Sequence, residues 1–205
     1  MLQQGDIGVS KKVSTMFVLS CRTYVLIGLT GRNASGKSTI VDWFSKKGLK
    51  TASCSDSIRA WLAEKNIEPT RDALIEGGRE LRRQGGAGIL AEMLLEMLDG
   101  ENAVIDSIRT PGEVEALRNR EDFLLVEVKA NSDTRWERLQ SRARAGDPID
   151  RETFIRQEKA ESVAKDAAGQ ALNATAELAD LVILNDGTED ELSKDLEEMF
   201  IKLNK

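Results

Sequence analysis

The residues with the clearest capacity for chemistry lie in one short loop that runs from Gly31 to Thr39. They read G-R-N-A-S-G-K-S-T, which contains the pattern G-x-x-x-x-G-K-S. In such a loop the glycines allow tight turns, and successive backbone N–H groups point at phosphate oxygens. The lysine adds a positive charge, and the serine hydroxyl after it binds Mg²⁺. The pattern therefore predicts a site for ATP and Mg²⁺, with contacts from Gly31, Asn33, Ala34, Ser35, Gly36, Lys37, Ser38 and Thr39.

The flanks of this loop carry the elements that such a site requires. The apolar run from Tyr24 to Ile27 is typical of a buried strand, and Ile40, Val41 and Phe44 form one stripe of a helix that begins at Lys37. A helix that begins there directs its unpaired N–H groups and the positive end of its dipole at the same phosphates. The alternative, a glycine-rich turn without a ligand, does not explain both flanks.

Apolar runs and amphipathic segments alternate along the whole chain. This alternation predicts an α/β fold in three layers, a parallel sheet of about five strands with helices on both faces. In such folds ligands bind at the carboxyl ends of the strands. Strands are expected near 23–28, 49–53, 103–105, 123–128 and 181–184, and helices over 37–47 and most of 56–98.

The composition excludes several classes of function. The 205 residues suffice for one domain, and the complete absence of histidine excludes Ser-His and Cys-His catalysis. Phosphoryl transfer needs no histidine. The formal charge of −6 argues against strong binding of nucleic acid. Cys21 and Cys54 fit neither a disulfide framework nor a zinc site, so a cytoplasmic location is expected.

The first 22 residues are expected to form a partly disordered tail. The apolar segment 16–21 follows two lysines, as in a signal peptide, but Arg22 interrupts it and the apolar run continues into the first strand. A secretory or membrane role is therefore not expected. An alternative for the tail is an over-extended start, with Met16 as the initiator.

Asp106 closes the third apolar run, Ala103 to Ile105. In a phosphate-loop protein, a carboxylate at the end of a neighbouring strand reaches Mg²⁺ directly or through water. Asp106 is therefore expected to share the metal with Ser38. The alternative is a helix-capping aspartate.

Two short strings near these strand ends resemble the nucleoside monophosphate kinases. In adenylate kinases the second strand leads into G-D-x-L-R and the third into D-G-F-P-R-T; this chain has S-D-S-I-R and D-S-I-R-T. The resemblance implies that Arg59 and Arg109 grip the phosphate of an acceptor, for which the forked guanidinium is suited. It also places Asp56 beside the acceptor, as a base or orienter for a hydroxyl; a helix cap is the alternative. The second string is one residue short of the family pattern and lacks its Phe-Pro.

The same resemblance implies a small helical lid over about 135–156 and an acceptor-binding helical region over about 54–98, within a kinase domain spanning 23–200. Arg135, Arg138 and Arg142 share one helical face, and such cations repel one another unless an anion joins them. Arg142 and Arg144 are the first candidates to reach the donor's phosphates, followed by Arg138 and Arg156. The alternative is a solvated charged face with Glu137 and Asp133 as partners.

Base contacts are implied at two further places. The loop that contains Asn185 and Gly187 follows the last strand, where these kinases wrap around the donor's base; an Asx turn is the compatible alternative. Glu113 stands where adenylate kinases carry a glutamine that reads the acceptor's base. The alternative is a glutamate that stabilises a helix start.

The phosphate loop is also similar to that of dephospho-coenzyme A kinase, but Ser53 to Asp56 depart from that family's acidic D-x-D segment. The expected activity is transfer of the γ-phosphoryl group of Mg-ATP to a small nucleotide, foremost a nucleoside monophosphate or its deoxy form. Phosphorylation of a hydroxyl group is one alternative, and a nucleotide-dependent switch without a small-molecule acceptor is another. The protein is expected to be a monomer or homodimer that works on small molecules.

Overall fold

The computed structural model describes residues 26–143, 147–163 and 169–203, within which five strands alternate with nine helices. The expected tail and Arg144 lie outside the described residues. The strands are β1 (Leu26–Thr30), β2 (Lys50–Ser53), β3 (Ala103–Asp106), β4 (Phe123–Lys129) and β5 (Leu181–Leu184). The helices are α1 (Lys37–Lys46), α2 (Cys54–Glu64), α3 (Arg71–Gly85), α4 (Ile89–Leu98), α5 (Pro111–Leu117), α6 (Ser132–Arg142), α7 (Arg151–Ser162), α8 (Leu172–Glu177) and α9 (Glu189–Leu203).

The five strands form one parallel sheet in the order β2-β3-β1-β4-β5. Strand β1 lies in the middle, with Leu26 paired to Ala103 on one side and to Phe123 on the other. The carboxyl ends of all strands therefore meet at one edge, which is where α/β sheets bind ligands. The predicted fold class is confirmed.

Alternate side chains of β1 supply two separate cores, because successive residues of a strand face opposite ways. Ile27 and Leu29 pack with Ile40 and Phe44 of α1 on one face. On the other face Leu26 belongs to the core formed with α2, α4 and α5. All five of these side chains are fully buried. The helices thus hold β1, and the loop that leaves it, from both sides.

Several helices at the ligand edge of the sheet begin at residues whose side chains cap them. Ser53 and Asp56 form a capping box at the start of α2, and Thr110 and Glu113 form another at the start of α5. A capping box satisfies two backbone N–H groups that the helix leaves unpaired. Asn131 caps α6 with its side chain alone, since its Oδ1 accepts from the Thr134 amide. These caps fix where the chain turns after β2, β3 and β4.

The pair α6 and α7, hereafter the arginine hairpin, packs over the ligand edge. Trp136 and Phe154 bring the two helices together, with ring centroids 5.6 Å apart. The guanidinium of Arg135 stacks over the same Phe154 ring. Across the part of the chain that the structure describes, no helix combines the length and apolar character needed to cross a membrane.

Candidate nucleotide site

The phosphate loop, residues 31–39, connects β1 to α1 in a conformation that its glycines make possible. Gly31 has φ of 139° and Gly36 has φ of 99°, both in the region that side chains disfavour. A Cβ atom on Gly31 would lie 2.3 Å from the carbonyl oxygen of Val128. Gly36 caps α1 without a side-chain hydrogen bond, and the first turn of α1 holds no acidic residue. The amino end of α1 therefore retains N–H groups for an anion.

Lys37 lies inside this loop. Its Nζ donates hydrogen bonds to the carbonyl oxygens of Gly31, at 2.8 Å, and Arg32, at 2.9 Å. Burial lowers the pKa of Lys37 to about 8, with nearby Asp106 acting in the opposite direction. An ammonium group that has lost water in this way gains most from a phosphate beside it.

Asp106 is brought to the phosphate loop by contacts between the ends of β1 and β3. Thr30 Oγ1 donates to the carbonyl oxygen of Ile108 at 2.9 Å, and the Ile108 amide donates to that of Leu29 at 3.3 Å. Between them, Ser107 takes φ of 65°, and its amide donates to Asp106 Oδ1 at 2.6 Å. The carboxylate is close enough to influence the pKa of Lys37.

Two polar atoms at the phosphate loop are buried without a hydrogen-bond partner among the described residues, Ser35 Oγ and Arg138 Nη1. Arg138 Nη1 lies 3.8 Å from the position that a Cβ of Gly36 would take. Buried donors of this kind normally have a partner, so their presence fits phosphate oxygens at this loop. The exposed Ser38 hydroxyl and the Asp106 carboxylate are oxygen ligands suited to Mg²⁺.

The two strings with arginines follow the ends of neighbouring strands, since Ser53 at the end of β2 pairs with Asp106 at the end of β3. Arg109 Nη1 donates to Gln170 Oε1 at 3.0 Å and lies 3.8 Å from Glu161. Arg59, about half exposed, forms an ion pair of 2.9 Å with Asp56. The other Asp56 oxygen accepts from the Ser53 amide at 2.8 Å, so Asp56 takes the helix-cap role given as its alternative.

Glu113 has the capping role that was its alternative, and the expected contact with an acceptor's base does not fit its environment. The side chain is fully buried. Oε1 accepts from Arg82 Nη2 at 2.8 Å, while Oε2 accepts from the amides of Arg109, at 2.7 Å, and Thr110, at 3.1 Å. Both oxygens are therefore occupied by the protein.

The arginines of α6 face the phosphate loop. Their partners differ from Glu137 and Asp133, which were the partners expected if these arginines formed a solvated charged face. Arg135 is 3% exposed and forms a forked ion pair with Glu158 of α7, with Nη2 3.1 Å from Oε2. Arg142 binds Asp147 through Nε and Nη2, both at 2.8 Å, and its Nη2 donates to Asn33 Oδ1 at 3.0 Å. The negative charges beside these cations thus come from α7, through Glu158, and from the connection between α6 and α7, through Asp147. Exposed Arg156 contacts Thr153 at 3.0 Å, and Asp133 pairs with Arg151.

Asn185 lies under the phosphate loop, where its side chain is buried. Its Nδ2 donates to the Ser35 carbonyl oxygen at 2.9 Å, and its Oδ1 lies 3.5 Å from Arg138 Nη2. This is a contact with the loop backbone, whereas contact with a base was expected. Gly187 lies beside Glu191, whose Oε2 would be 2.3 Å from an added Cβ.

A cavity of about 360 Å³ opens beside the phosphate loop, between the end of β4 and α8. Among the described residues expected to contact ATP, only Gly31 lines it. The buried carboxylate of Glu127 on its wall pairs with Lys129 at 3.1 Å. Arg32 and Asp186 also line this wall, so charged groups of both signs surround the cavity.

Sequence reasoning missed the residues that support the site from other elements. Arg32 of the phosphate loop donates to Ser162 Oγ of α7 at 2.8 Å and to Asn173 Oδ1 of α8 at 3.1 Å. The partners Arg82, Glu158 and Asp147 were missed as well. No motif marks these residues. Arg32, Arg82 and Glu158 meet partners on distant elements, and Asp147 lies in the connection between α6 and α7.

The chain is similar in sequence to several known proteins. The sequence profile of the AAA_18 family, described as an AAA domain, matches residues 27–163. A UPF0200 protein of Thermococcus onnurineus (strain NA1) is 29% identical over 187 residues, covering 87% of this chain and 98% of that protein.

Two solved structures share the fold. TT1252 from Thermus thermophilus gives a TM-score of 0.60 at 20% identity, covering 89% of this chain and 99% of that one. A gluconokinase from Sinorhizobium meliloti 1021 gives 0.54 at 14% identity, covering 89% and 95%. At these identities the likeness shows a kinase-like fold and does not single out the adenylate or dephospho-coenzyme A kinases. Because the profile spans more than half of the residues, the chain belongs to the AAA_18 family of AAA domains.

Proposed function

We propose that the protein transfers the γ-phosphoryl group of Mg-ATP to a small nucleotide, foremost a nucleoside monophosphate or its deoxy form. The observation that carries this proposal is the convergence of three charged side chains at the ligand edge of β1 and β3. Asp106 and Arg109 both act on the pKa of Lys37, which lies within the phosphate loop. A cation for the donor, a carboxylate for the metal and an arginine for the acceptor are the parts that phosphoryl transfer needs.

The proposed roles follow from where each side chain lies. Lys37 and the amino end of α1 would bind the donor's phosphates, and Arg138 and Arg142 would offset charge on the group in transfer. Ser38 and Asp106 would hold Mg²⁺, which supplies charge neutralisation between the phosphates. The arginine hairpin covers this edge, so it would also keep water from the reacting group.

The occupied carboxylate of Asp56 favours a phosphate acceptor over a hydroxyl acceptor. A hydroxyl group requires a base to take its proton, whereas a monophosphate is already anionic at neutral pH. Neither oxygen of Asp56 is free to accept that proton, because one accepts from Arg59 and the other accepts from the Ser53 amide. Among the described residues of α2, no other carboxylate stands in its first turn.

The test is release of ADP from Mg-ATP with a panel of ribo- and deoxynucleoside monophosphates and dephospho-coenzyme A, with Lys37→Ala as the blank. Stimulation by a monophosphate supports the proposal. Stimulation by dephospho-coenzyme A alone would replace it with hydroxyl phosphorylation. If ATP binds and no acceptor stimulates its turnover, a nucleotide-dependent switch becomes the better description.

Arg109→Ala tests the acceptor contact within the same assay. It is expected to leave ATP affinity near that of the unchanged protein and to lower transfer about 10³-fold. Arg118→Ala is the matched control, since Arg118 lies at the end of α5 and pairs with Asp180 at 3.2 Å. Near-normal transfer by Arg109→Ala would remove this residue from the proposed site.

A further inference from the structure

We infer that Asn185 is a positioning residue of the triphosphate site, which holds the phosphate loop and the guanidinium of Arg138 in place and does not read the nucleotide's base. The inference rests on the proposed function, because it assigns Asn185 a role in the same ATP site. It concerns the binding of phosphates only, so it is tested without the transfer reaction.

The contact with Ser35 sets the direction of a backbone N–H in the loop. Asn185 Nδ2 donates to the Ser35 carbonyl oxygen at 2.9 Å, and Asn185 is only 5% exposed. A trans peptide is planar, with its C=O and N–H on opposite sides. Because Asn185 holds the Ser35 carbonyl, the N–H of Gly36 in the same peptide points away from Asn185. That is the orientation in which an N–H serves an anion in a backbone nest.

The other end of the same amide meets Arg138. Asn185 Oδ1 lies 3.5 Å from Arg138 Nη2, while Arg138 Nη1 is buried without a hydrogen-bond partner among the described residues. A guanidinium is flat and rigid, so a contact at one nitrogen orients the other. Nη1 lies 3.8 Å from the site of a Gly36 Cβ, directly beside the loop. One side chain thus orients two donors, the Gly36 N–H within the phosphate loop and Arg138 Nη1 beside it.

Gly36 completes the arrangement by leaving room for the amide. A Cβ on this residue would be 2.0 Å from Asn185 Nδ2. Glycine is required at this point for its φ of 99° and also because Asn185 fills the adjacent space.

Asn185 is itself fixed by the ends of the neighbouring strands. Its backbone amide donates to the Lys129 carbonyl oxygen of β4 at 2.7 Å. The next residue, Asp186, accepts through Oδ1 from the Asn131 amide at 2.7 Å. The phosphate loop is therefore braced by a part of the chain 150 residues away.

A ligand that has phosphates but no base can distinguish a positioning role of Asn185 from a contact between Asn185 and the base of the nucleotide. Affinities for Mg-ATP and for Mg-tripolyphosphate are measured by titration calorimetry for the unchanged protein and for Asn185→Ala. Positioning predicts that both affinities fall by a similar factor, about tenfold or more, because hydrogen bonds to charged groups are at stake. Loss of ATP affinity with unchanged tripolyphosphate affinity would overturn the inference and restore base reading.

Two further variants guard against a general loss of stability. Asn185→Asp keeps the side-chain size and the oxygen for Arg138 but sets a carboxylate oxygen against Ser35; it is expected to weaken tripolyphosphate binding as well. Arg120→Met removes an ion pair of 2.6 Å with Asp122 next to the amino end of β4, at the edge of the sheet opposite the site, and is expected to leave both affinities unchanged. If Arg120→Met weakens binding as much as Asn185→Ala, or if Asn185→Asp binds normally, the inference fails.

Amide hydrogen exchange gives a readout independent of ligand. The peptide containing residues 31–37 is expected to exchange faster in Asn185→Ala than in the unchanged protein, while the peptides of β1 and β3 exchange at unchanged rates. Equal exchange in the loop would contradict positioning. If the unchanged protein binds neither ATP nor tripolyphosphate, the proposed function fails together with the inference; if it binds both and the variant does too, the inference alone fails.

Discussion

Arg82 and Glu113 form a buried ion pair, with 2.8 Å between Nη2 and Oε1 and side chains that are 6% and 0% exposed. The pair joins α3 to the first turn of α5. The second Glu113 oxygen accepts from the Arg109 amide. Through Glu113, Arg82 of α3 therefore helps to hold the backbone that carries Arg109. The Nε of Arg82 is buried and has no hydrogen-bond partner among the described residues.

Arg82→Met is expected to lower the free energy of unfolding by about 3–5 kcal/mol, because it leaves the Glu113 carboxylate buried without its cation. Urea denaturation measures this loss. Arg83→Met is the matched control on the same helix, since Arg83 is 52% exposed and pairs with Glu76 and Glu80 at the surface. The control is expected to lose far less, because ion pairs at the surface contribute little to stability. Equal losses in the two variants would mean that the buried pair contributes no more to the free energy of unfolding than the exposed pairs do.

Gly36→Ala is expected to abolish stabilisation of the protein by Mg-ATP, whereas Gly48→Ala keeps it. Both glycines have positive φ, 99° and 91°, so each alanine bears the backbone strain of about 1–2 kcal/mol. Only at Gly36 does the new Cβ also collide with a neighbour, Asn185, while nothing lies within 4 Å at Gly48. Thermal unfolding with and without Mg-ATP compares the two variants. An intact ligand-induced rise in Tm for Gly36→Ala would show that the loop tolerates a side chain.

Lys37→Met is expected to be more stable than the unchanged protein at pH 7, and the difference is expected to vanish above about pH 10.5. The pKa of Lys37 falls to about 8 in the folded protein, from 10.5 in the unfolded chain. Between these values the unfolded chain binds more protons, so stability attributable to Lys37 rises with pH. Below pH 8 the cost of burying the charge is present in full. Unfolding in urea across pH 7 to 10.5 measures the difference, and a constant gap would contradict the lowered pKa.

Asp147→Asn is expected to tighten binding of Mg-ATP by a few fold. Both oxygens of Asp147 occupy the fork of Arg142, at 2.8 Å each, and a phosphate would need the same donors. An amide holds that fork less strongly than a carboxylate does. Fluorescence titration with an ATP analogue compares Asp147→Asn with Arg142→Ala, for which weaker binding is expected. Weaker binding by Asp147→Asn would instead mean that Asp147 orients Arg142 for the nucleotide.

The sheet and the phosphate loop were predictable because local sequence determines them. An apolar run, a G-x-x-x-x-G-K-S loop and an amphipathic helix follow one another within about 20 residues. The strand ends at Ser53 and Asp106 were found to within a residue or two, since polar capping residues mark them. What a contiguous segment specifies can be inferred from that segment alone.

The partners of the arginines could not be predicted from the helical spacing, which showed only that Arg135 and Arg142 share a face. Glu158 reaches Arg135 through the packing of α6 against α7, and Asp147 reaches Arg142 from the connection between these two helices. The sequence allowed two roles for Glu113, contact with an acceptor's base or stabilisation of a helix start. The ion pair with Arg82 of α3, which no local pattern indicates, favours the second role.

Because β1 lies at the centre of the sheet, β2 and β3 form one flank of the molecule and β4 and β5 form the other. The two flanks can evolve differently. The elements proposed to choose the acceptor follow β2 and β3, while those proposed to grip the donor follow β4 and β5. The helices after β2 can therefore be reworked while β4 and β5 are kept, provided that the contacts of Arg109 with Gln170 and Glu161 persist. Relatives that share one phosphate loop would then differ in the proposed acceptor, while the proposed ATP site stays the same.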